Sequence, residues 1–350
     1  MLKELWCDKN VLKDSTPFES EDKVFFLIPT MCDVQVNGYN GISLDDELTF
    51  DALERMKEDL FRDGVTQFVP TIITCDYQKM LTALINTREF MEKYPGVIPG
   101  IHLEGPFISK EKRGIHPLEY VRTMDQQSLD TILEYRDAIA YMTVDPVNLG
   151  HDLIDILVRN GIRLSLGHTN CNHAQAVDFF SRGPKMATHL FNAMSKSPNG
   201  RNPMAVEAVL ETERIYAGVI VDGVHVDFTM VYLAWRLLGK YFILTTDALA
   251  ASGVRDPSSL PSFTFAGKKI INDPVRGCIS EMGTLAGSRL TMLDGLRNLV
   301  LNCGLSLQDA SYAACVAPRR ALKIQPNDYF MILDSNFNIV KIFKSQLNNY

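Results

Sequence analysis

The sequence predicts an α/β fold, a (β/α)8 TIM barrel. From Phe25 onward, eight short apolar or β-branched runs recur, and segments with apolar residues at helical spacing lie between most of them. The runs are nearly continuous in apolar character rather than alternating, which fits a parallel sheet that is covered on its outer face. A length of 350 residues leaves room for this fold, because such barrels routinely reach about 250 residues as one unit.

The eight strand candidates follow one another in the order that a barrel requires. They are FFLIPTMCDVQ (25–35), GVTQFVPTIIT (64–74), VIPGIHLEG (97–105), AIAYMTVDP (138–146), RLSLGHT (163–169), KMATHL (185–190), YAGVIVDGVH (216–225) and YFILTTDA (241–248). Clear helix candidates between them lie at 45–63, 77–94, 150–161 and 171–183.

Beyond Asp247 the pattern changes. A looser stretch at 250–282 is followed by helical segments at 285–302 and 306–323. The final run, DYFMILDSNFNIVKIF, predicts a β-hairpin that turns at Ser335 and Asn336. We expect this hairpin to pair with the first 30 residues.

Composition and charge narrow the classes of function. Hydrophobic residues make up 46% of the chain and charged residues 22%, as in an ordinary globular protein. The net charge of −7 argues against broad binding to nucleic acid or to an anionic membrane. No apolar run resembles a signal peptide or a membrane span, so we expect a cytoplasmic location. The seven cysteines contain no CxxC pair, which indicates reduced thiols rather than disulfides.

Two histidines, His168 and His189, lie at the ends of consecutive strand candidates. In a parallel barrel these ends meet at one face, where two imidazoles can hold a divalent ion and leave a coordination position for water. The alternative is two unrelated core histidines that are only hydrogen-bonded. Polar residues at the ends of the other strands favour the metal site; they are Gln35, Asn37, Thr71, Glu104, Asp145, His225 and Asp247.

Glu104 and Asp247 each allow two interpretations. Glu104 would complete a His/His/Glu set, which is a common ligand choice for catalytic zinc, but a carboxylate at a strand end can also cap a turn. Asp247 could be a catalytic or a purely structural carboxylate.

Eight short segments together carry a specific resemblance. They are DVQVNGYNG from Asp33, HLEGPF from His102, GIHP from Gly114, GHTN from Gly167, ATHLFNAM from Ala187, DGVHV from Asp222, TTDA from Thr245 and GTLAGSRLTM from Gly283. In order and spacing they resemble the N-acetylglucosamine-6-phosphate deacetylase family of the amidohydrolase superfamily. The resemblance covers about residues 28 to 320. It implies a hydrolase that removes acetate from N-acetyl-D-glucosamine 6-phosphate and leaves D-glucosamine 6-phosphate.

The resemblance also implies roles for individual residues. Glu104, His168 and His189 match the family's metal ligands, and Asp247 matches its general base. His116 matches a residue that binds the substrate and helps to polarise the acetyl carbonyl. The matching substrate-binding set also includes Asn192, Ala193 and His225, together with Arg201 from the neighbouring subunit, which implies a homodimer. From the residues alone, an exposed arginine in a polar loop could equally be only solvated.

Gln35 and Asn37 stand where many amidohydrolases carry His-x-His for a second metal. Neutral amides are poor zinc ligands, so we expect one divalent ion per subunit. A nitrogen and oxygen ligand set favours Zn²⁺ and also admits Fe²⁺, Mn²⁺ or Co²⁺.

Compared with the family, the terminal segments are short. We therefore expect a reduced β-sandwich accessory domain formed by residues 1–27 and 324–350, beside a barrel at 28–323. Two alternative functions remain at this stage: another mononuclear amidohydrolase, such as a deaminase or cyclic amidase, or a non-catalytic relative that binds sugar phosphates.

Overall fold

The computed structural model describes residues 25–45 and 48–345. The strands in this part of the chain are β1 (Phe26–Pro29), β2 (Met31–Val36), β3 (Gly38–Tyr39), β4 (Ile42–Ser43), β5 (Val65–Ile73), β6 (Ile101–Glu104), β7 (Ile139–Val144), β8 (Leu164–Leu166), β9 (Met186–Ala187), β10 (Tyr216–Ile220), β11 (Phe242–Thr245), β12 (Ser262–Phe265), β13 (Lys268–Asp273), β14 (Gly277–Ser280), β15 (Tyr329–Leu333) and β16 (Ile339–Lys344).

Helices follow most of the barrel strands. They are α1 (Phe50–Arg62), α2 (Tyr77–Lys93), α3 (Gln126–Glu134), α4 (Pro146–Leu149), α5 (His151–Arg159), α6 (His173–Ser181), α7 (Ala205–Glu211), α8 (Phe228–Leu238), α9 (Met292–Leu301), α10 (Leu307–Ser311) and α11 (Ala317–Leu322). Several begin at a side-chain cap, as where Thr49 accepts from the amide of Ala52 and Asp76 from that of Lys79. None of the helices in the described ranges combines the length and apolarity needed to span a bilayer.

Eight parallel strands form the predicted TIM barrel. Their order in the sheet is β2, β5, β6, β7, β8, β9, β10 and β11, which is also their order in the chain. The longest of them, β5, is buried along all nine residues, because the barrel interior covers one face and the helices cover the other. The fold class expected from the continuous apolar runs is confirmed.

The first predicted strand is in fact two strands. FFLIPTMCDVQ divides at Thr30, so that β1 leaves the barrel and β2 joins it. β1 pairs antiparallel with β15, and β15 pairs with β16, which forms a three-stranded accessory sheet. The predicted hairpin and its pairing with the N-terminal part are therefore confirmed. The domain limits at 27/28 and 323/324 remain a proposal: β1 spans the first of them, and residues 1–24 and 346–350 lie outside the described residues.

The stretch at 250–282 was expected to be loose, but it contains the antiparallel sheet β12, β13 and β14. Phe265, Ile270 and Cys278 of this sheet pack with Ile73 and Leu249 near the barrel mouth. Its strands are short and bounded by Gly, Pro and Asp, so their sequence pattern is weak. The next helix, α9, begins at Met292 rather than at 285, because residues 285–288 run beside the end of β11 and bridge it at Ala248 and Ser288.

Candidate metal centre and active site

The functional residues expected from the strand ends meet in one cavity at the C-terminal end of the barrel. Glu104 ends β6, while His168, His189 and Asp247 follow β8, β9 and β11 within two residues. All four side chains line a cavity of about 320 Å³. All four residues are also buried, with Asp247 the most exposed at 9%. This is the face on which barrels of this type build their active sites.

Three of these four residues have an unusual backbone conformation. The φ angles are 45° at His168, 32° at His189 and 50° at Asp247, all in the left-handed region. Non-glycine residues avoid this region unless the surrounding structure holds them there, and such residues concentrate at functional sites. The side chains of all three residues line the cavity.

Glu104, His168 and His189 form a compact group of three potential metal ligands. Oε1 of Glu104 lies 3.2 Å from Nε2 of His168 and 2.9 Å from Nε2 of His189. The two Nε2 atoms are 3.0 Å apart. Ligand atoms around a tetrahedral ion with bonds of about 2.0–2.2 Å are separated by about 3.4 Å. The spacing and the chemistry of these donors therefore fit a single divalent ion.

The tautomer of His168 also suits a metal ligand. Its Nδ1 lies 2.8 Å from the carbonyl oxygen of Lys112, so Nδ1 carries the proton and donates it, and Nε2 keeps a free lone pair. His189 is held differently. Its Nδ1 is buried and has no hydrogen-bond partner in the described part of the chain, so packing and the contact with Glu104 orient the ring.

The electrostatics keep this group charged. Burial raises the pKa of Glu104, but its hydrogen bonds and electrostatic interactions with His168 and His189 outweigh burial and hold that pKa well below the usual value. For His189, burial lowers the pKa, and the hydrogen bond with Glu104 reverses this to a net increase. A carboxylate that remains ionised is the form that binds a cation.

Two side-chain amides hold Asp247. Nδ2 of Asn37 donates to its Oδ1 at 2.7 Å, and Nε2 of Gln35 donates to the same atom at 2.9 Å. Gln35 also donates to Oε1 of Glu104 at 3.0 Å, so one amide nitrogen connects the two carboxylates. Burial and the nearby charge of Glu104 raise the pKa of Asp247 above its usual value. Both amides therefore direct N–H groups at the carboxylate of Asp247.

His116 lies beside the same group. Its Nε2 is 3.9 Å from Oε2 of Glu104, and its Nδ1 is 2.8 Å from the hydroxyl of Thr74. The backbone N–H of Thr74 can only donate, and its 3.4 Å contact with Nδ1 favours the tautomer in which Nε2 carries the proton. Burial lowers the pKa of His116 well below the usual value, so the ring is neutral.

The residues expected to bind the phosphate (Asn192, Ala193 and Arg201) and the sugar (His225) are only partly brought together. Asn192 and Ala193 line the cavity, and the amide of Ala193, at a φ of 48°, has no acceptor among the described residues. Arg201 is exposed and does not line this cavity of its own chain. His225 does line it, but Nδ1 contacts Asp222 at 2.6 Å and Nε2 contacts the carbonyl of Ala286 at 2.9 Å.

The chain is similar in sequence to several known proteins. The chain is 36% identical over 292 residues to the N-acetylglucosamine-6-phosphate deacetylase of Haemophilus influenzae, which covers 83% of this chain and 76% of the relative. The chain belongs to the N-acetylglucosamine-6-phosphate deacetylase family. An N-acetylgalactosamine-6-phosphate deacetylase of a Shewanella species is 32% identical, over 83% of this chain and 73% of that protein. No protein-family model matches the chain.

Solved structures agree with this membership of the deacetylase family. The crystal structure of N-acetylglucosamine-6-phosphate deacetylase from Pasteurella multocida superposes with a TM-score of 0.86 at 31% identity, and it covers 91% of this chain and 85% of that one. The resemblance that the eight sequence segments carried is therefore confirmed. Membership of the amidohydrolase superfamily and the Glu104, His168 and His189 cluster together indicate a divalent-metal site.

Several residues of this deacetylase-family site had no assigned role in the sequence. Phe265, Ile73, Ile115 and Leu285 form an apolar part of the cavity wall. Gly287 lies so close to Asp247 that an added Cβ would meet the carbonyl oxygen of Asp247 at 2.4 Å. The string GTLAGS contained the only sequence signal for this close approach, since glycine is required wherever backbones meet so closely.

Proposed function

We propose that this protein hydrolyses the acetamide of N-acetyl-D-glucosamine 6-phosphate to D-glucosamine 6-phosphate and acetate. One observation carries the proposal: a Glu/His/His cluster suited to a divalent ion lies opposite Asp247, and Gln35 connects the two. The sequence relatives carry the corresponding activity in their names. This arrangement suits attack by water on an amide carbonyl.

We assign Glu104, His168 and His189 as the ligands of one divalent ion per subunit, most consistent with Zn²⁺ and compatible with Fe²⁺, Mn²⁺ or Co²⁺. When bound, the ion would activate water and polarise the acetyl carbonyl. The amides of Gln35 and Asn37 support a single ion, because both donate toward Asp247 and neutral amides are poor ligands for a divalent ion.

Asp247 moves the proton. Its carboxylate takes a proton from the attacking water as the water oxygen bonds to the acetyl carbon. It then delivers that proton to the amide nitrogen, which receives the electron pair of the breaking C–N bond. This second delivery is needed because an unprotonated amine anion is a very poor leaving group. The raised pKa of Asp247 helps the first transfer, since a stronger base is a better proton acceptor from water.

His116 stabilises the oxyanion that forms on the acetyl oxygen. It is neutral and buried beside the cluster, and its Nε2–H can donate to the developing negative charge. Because the ring is neutral, it stabilises the oxyanion by a hydrogen bond and does not transfer its proton to the oxyanion.

The sugar phosphate binds where the loop after β9 meets the cavity. The unpaired amide of Ala193 and the side chain of Asn192 supply donors. Burial lowers the pKa of His225, but the hydrogen bond and the charge of Asp222 outweigh it, so the pKa is raised and the ring beside the sugar is positively charged. Arg201 reaches the site of the neighbouring subunit in a homodimer. Its exposure and its absence from its own chain's cavity support this arrangement.

Acetate release tests the proposal. We expect release from N-acetyl-D-glucosamine 6-phosphate and much slower release from the unphosphorylated sugar, with metal content measured on the same sample. The galactosamine epimer is included because one relative is named for it. Equal rates with and without phosphate would remove the phosphate argument and favour another mononuclear amidohydrolase. Binding without release of acetate would favour a non-catalytic sugar-phosphate binder.

Arg201→Ala is expected to raise KM for the phosphorylated substrate by roughly tenfold or more, because a hydrogen bond to a charged group contributes about 1.5–3 kcal/mol. Rates with the unphosphorylated sugar should not change. Mixed dimers of Arg201→Ala and Asp247→Asn subunits should regain a site with the wild-type KM. In such a dimer the Arg201→Ala subunit keeps Asp247 and receives an intact Arg201 from its partner. Arg159→Ala, on the exposed face of α5, is the control. A wild-type KM in Arg201→Ala would reject this role.

Gln35→Glu is expected to shift the pH dependence. It places a third carboxylate against Glu104 and Asp247, which disfavours ionisation of Asp247 and raises its pKa. The base works ionised, so activity is lost as the pH falls through this pKa. The acidic limb of kcat/KM should therefore move up by about one pH unit or more. Gln67→Glu is the matched control, because Gln67 contacts Arg319 away from the cavity. An unmoved limb would contradict the proposed base.

A further inference from the structure

The barrel closes in an irregular way between its first and last strands. Every other neighbouring pair forms a parallel ladder, but within the described residues β2 and β11 meet only through an isolated bridge between Val36 and Ala248. The amides of Asn37 and Gly38 donate to the carbonyl oxygen of Ala248 at 2.8 and 3.0 Å. Ala248 directly follows Asp247 in the chain, so Asp247 lies where the first and last strands share no regular ladder.

Asp33, on β2, joins the two strands below this bridge. It is 1% exposed. Its Oδ1 accepts from the hydroxyl of Thr245 at 3.0 Å, from the amide of Thr246 at 3.3 Å and from the amide of Gln35 at 3.3 Å. Its Oδ2 accepts from the hydroxyl of Thr246. A buried carboxylate is costly unless hydrogen bonds satisfy it, and here all four donors belong to the two strands that must meet.

The hydrogen bonds of Asp33 reach two residues that position Asp247, namely Thr246 and Gln35. The hydroxyl of Thr246 donates to Asp33 and accepts from the amide of Ala248 at 3.1 Å, so this link spans Asp247 from one side to the other. It therefore braces the left-handed turn at Asp247. On the other strand, Asp33 fixes the backbone of Gln35, whose side chain donates to Asp247.

We infer that Asp33 is a positioning residue for the proposed hydrolysis, which sets the direction of the Asp247 carboxylate through Thr246 and Gln35. The inference rests on the proposed function. Asp33 does not line the cavity, so it has no contact with substrate. Burial raises its pKa to about 6, because the hydrogen bonds from Thr246, Gln35 and Thr245 offset only part of the effect of burial.

The test compares Thr246→Val, which removes the hydroxyl at nearly constant size, with Thr246→Ser, which keeps it. We expect Thr246→Val to lower kcat for N-acetyl-D-glucosamine 6-phosphate by about tenfold or more, with KM within about threefold and metal content unchanged. Thr246→Ser should stay within about threefold of the wild type. Asp33→Asn should resemble Thr246→Val, and the double variant should be no slower than the slower single one, because both act through one link.

Thr66→Val is the control for the same substitution in another buried hydroxyl pair, with Thr30, and should leave kcat unchanged. A wild-type kcat in Thr246→Val, equal losses in the valine and serine variants, or additive losses in the double variant would each overturn the inference. Acetate release by the wild type decides the proposed function separately. A wild type that releases no acetate rejects that function and this role together.

Discussion

Asp247→Asn is expected to lose turnover by roughly 10²–10⁴-fold, the usual contribution of general acid–base catalysis. Asparagine has nearly the same shape, and its Oδ1 can still accept from Asn37 and Gln35, so the fold and the metal cluster should persist. The lost property is the ability to take a proton from water and return it to nitrogen. The measurement is single-turnover acetate release, with metal content and thermal unfolding recorded on the same protein.

Asp145→Asn provides a matched control for this substitution. Asp145 also follows a barrel strand and is buried, but it caps α4 and accepts from the hydroxyl of Thr169 instead of lining the cavity. Asparagine can cap a helix as well as aspartate can, so activity should remain near that of the wild type. Near-normal turnover in Asp247→Asn would reject the role of Asp247 as the base.

Glu104→Gln is expected to abolish stoichiometric metal binding and to lower activity by about 10³-fold or more. A neutral amide is a poor ligand for a divalent ion, and Glu104 contacts both histidines of the cluster. Metal analysis after dialysis gives a readout that does not depend on activity. A second readout is the melting temperature: added Zn²⁺ should raise it for the wild type, because a ligand that binds only the folded state stabilises it, and should not raise it for the variant.

Glu111→Gln is the control for the loss of a carboxylate from the cavity wall. Glu111 lines the same cavity, but its carboxylate accepts from the hydroxyl of Ser109 and lies outside the ligand cluster. This variant should keep its metal. Full metal occupancy in Glu104→Gln would show that the ion is held elsewhere.

Much of the fold could be predicted from local patterns. Each barrel strand is a continuous apolar run, because both of its faces are buried, and each run ends in a polar residue, because the strand ends meet solvent and substrate. This is why Glu104, His168, His189 and Asp247 could be singled out before their distances were known. The division of the first run at Thr30 and the small sheet at 262–280 were missed, since short strands carry few residues in which a pattern can show.

The sequence by itself determined the barrel, its family and the chemical types present at its mouth. Only the tertiary structure decided how they act together. Three residues at the mouth, His168, His189 and Asp247, adopt left-handed backbone conformations. The link of Asp33 to Thr246 joins residues that are 213 positions apart in the chain. A left-handed backbone is unfavourable for aspartate, and a buried carboxylate is unfavourable unless hydrogen bonds satisfy it. Long-range hydrogen bonds make both stable, and such bonds form only after the first and last strands have met.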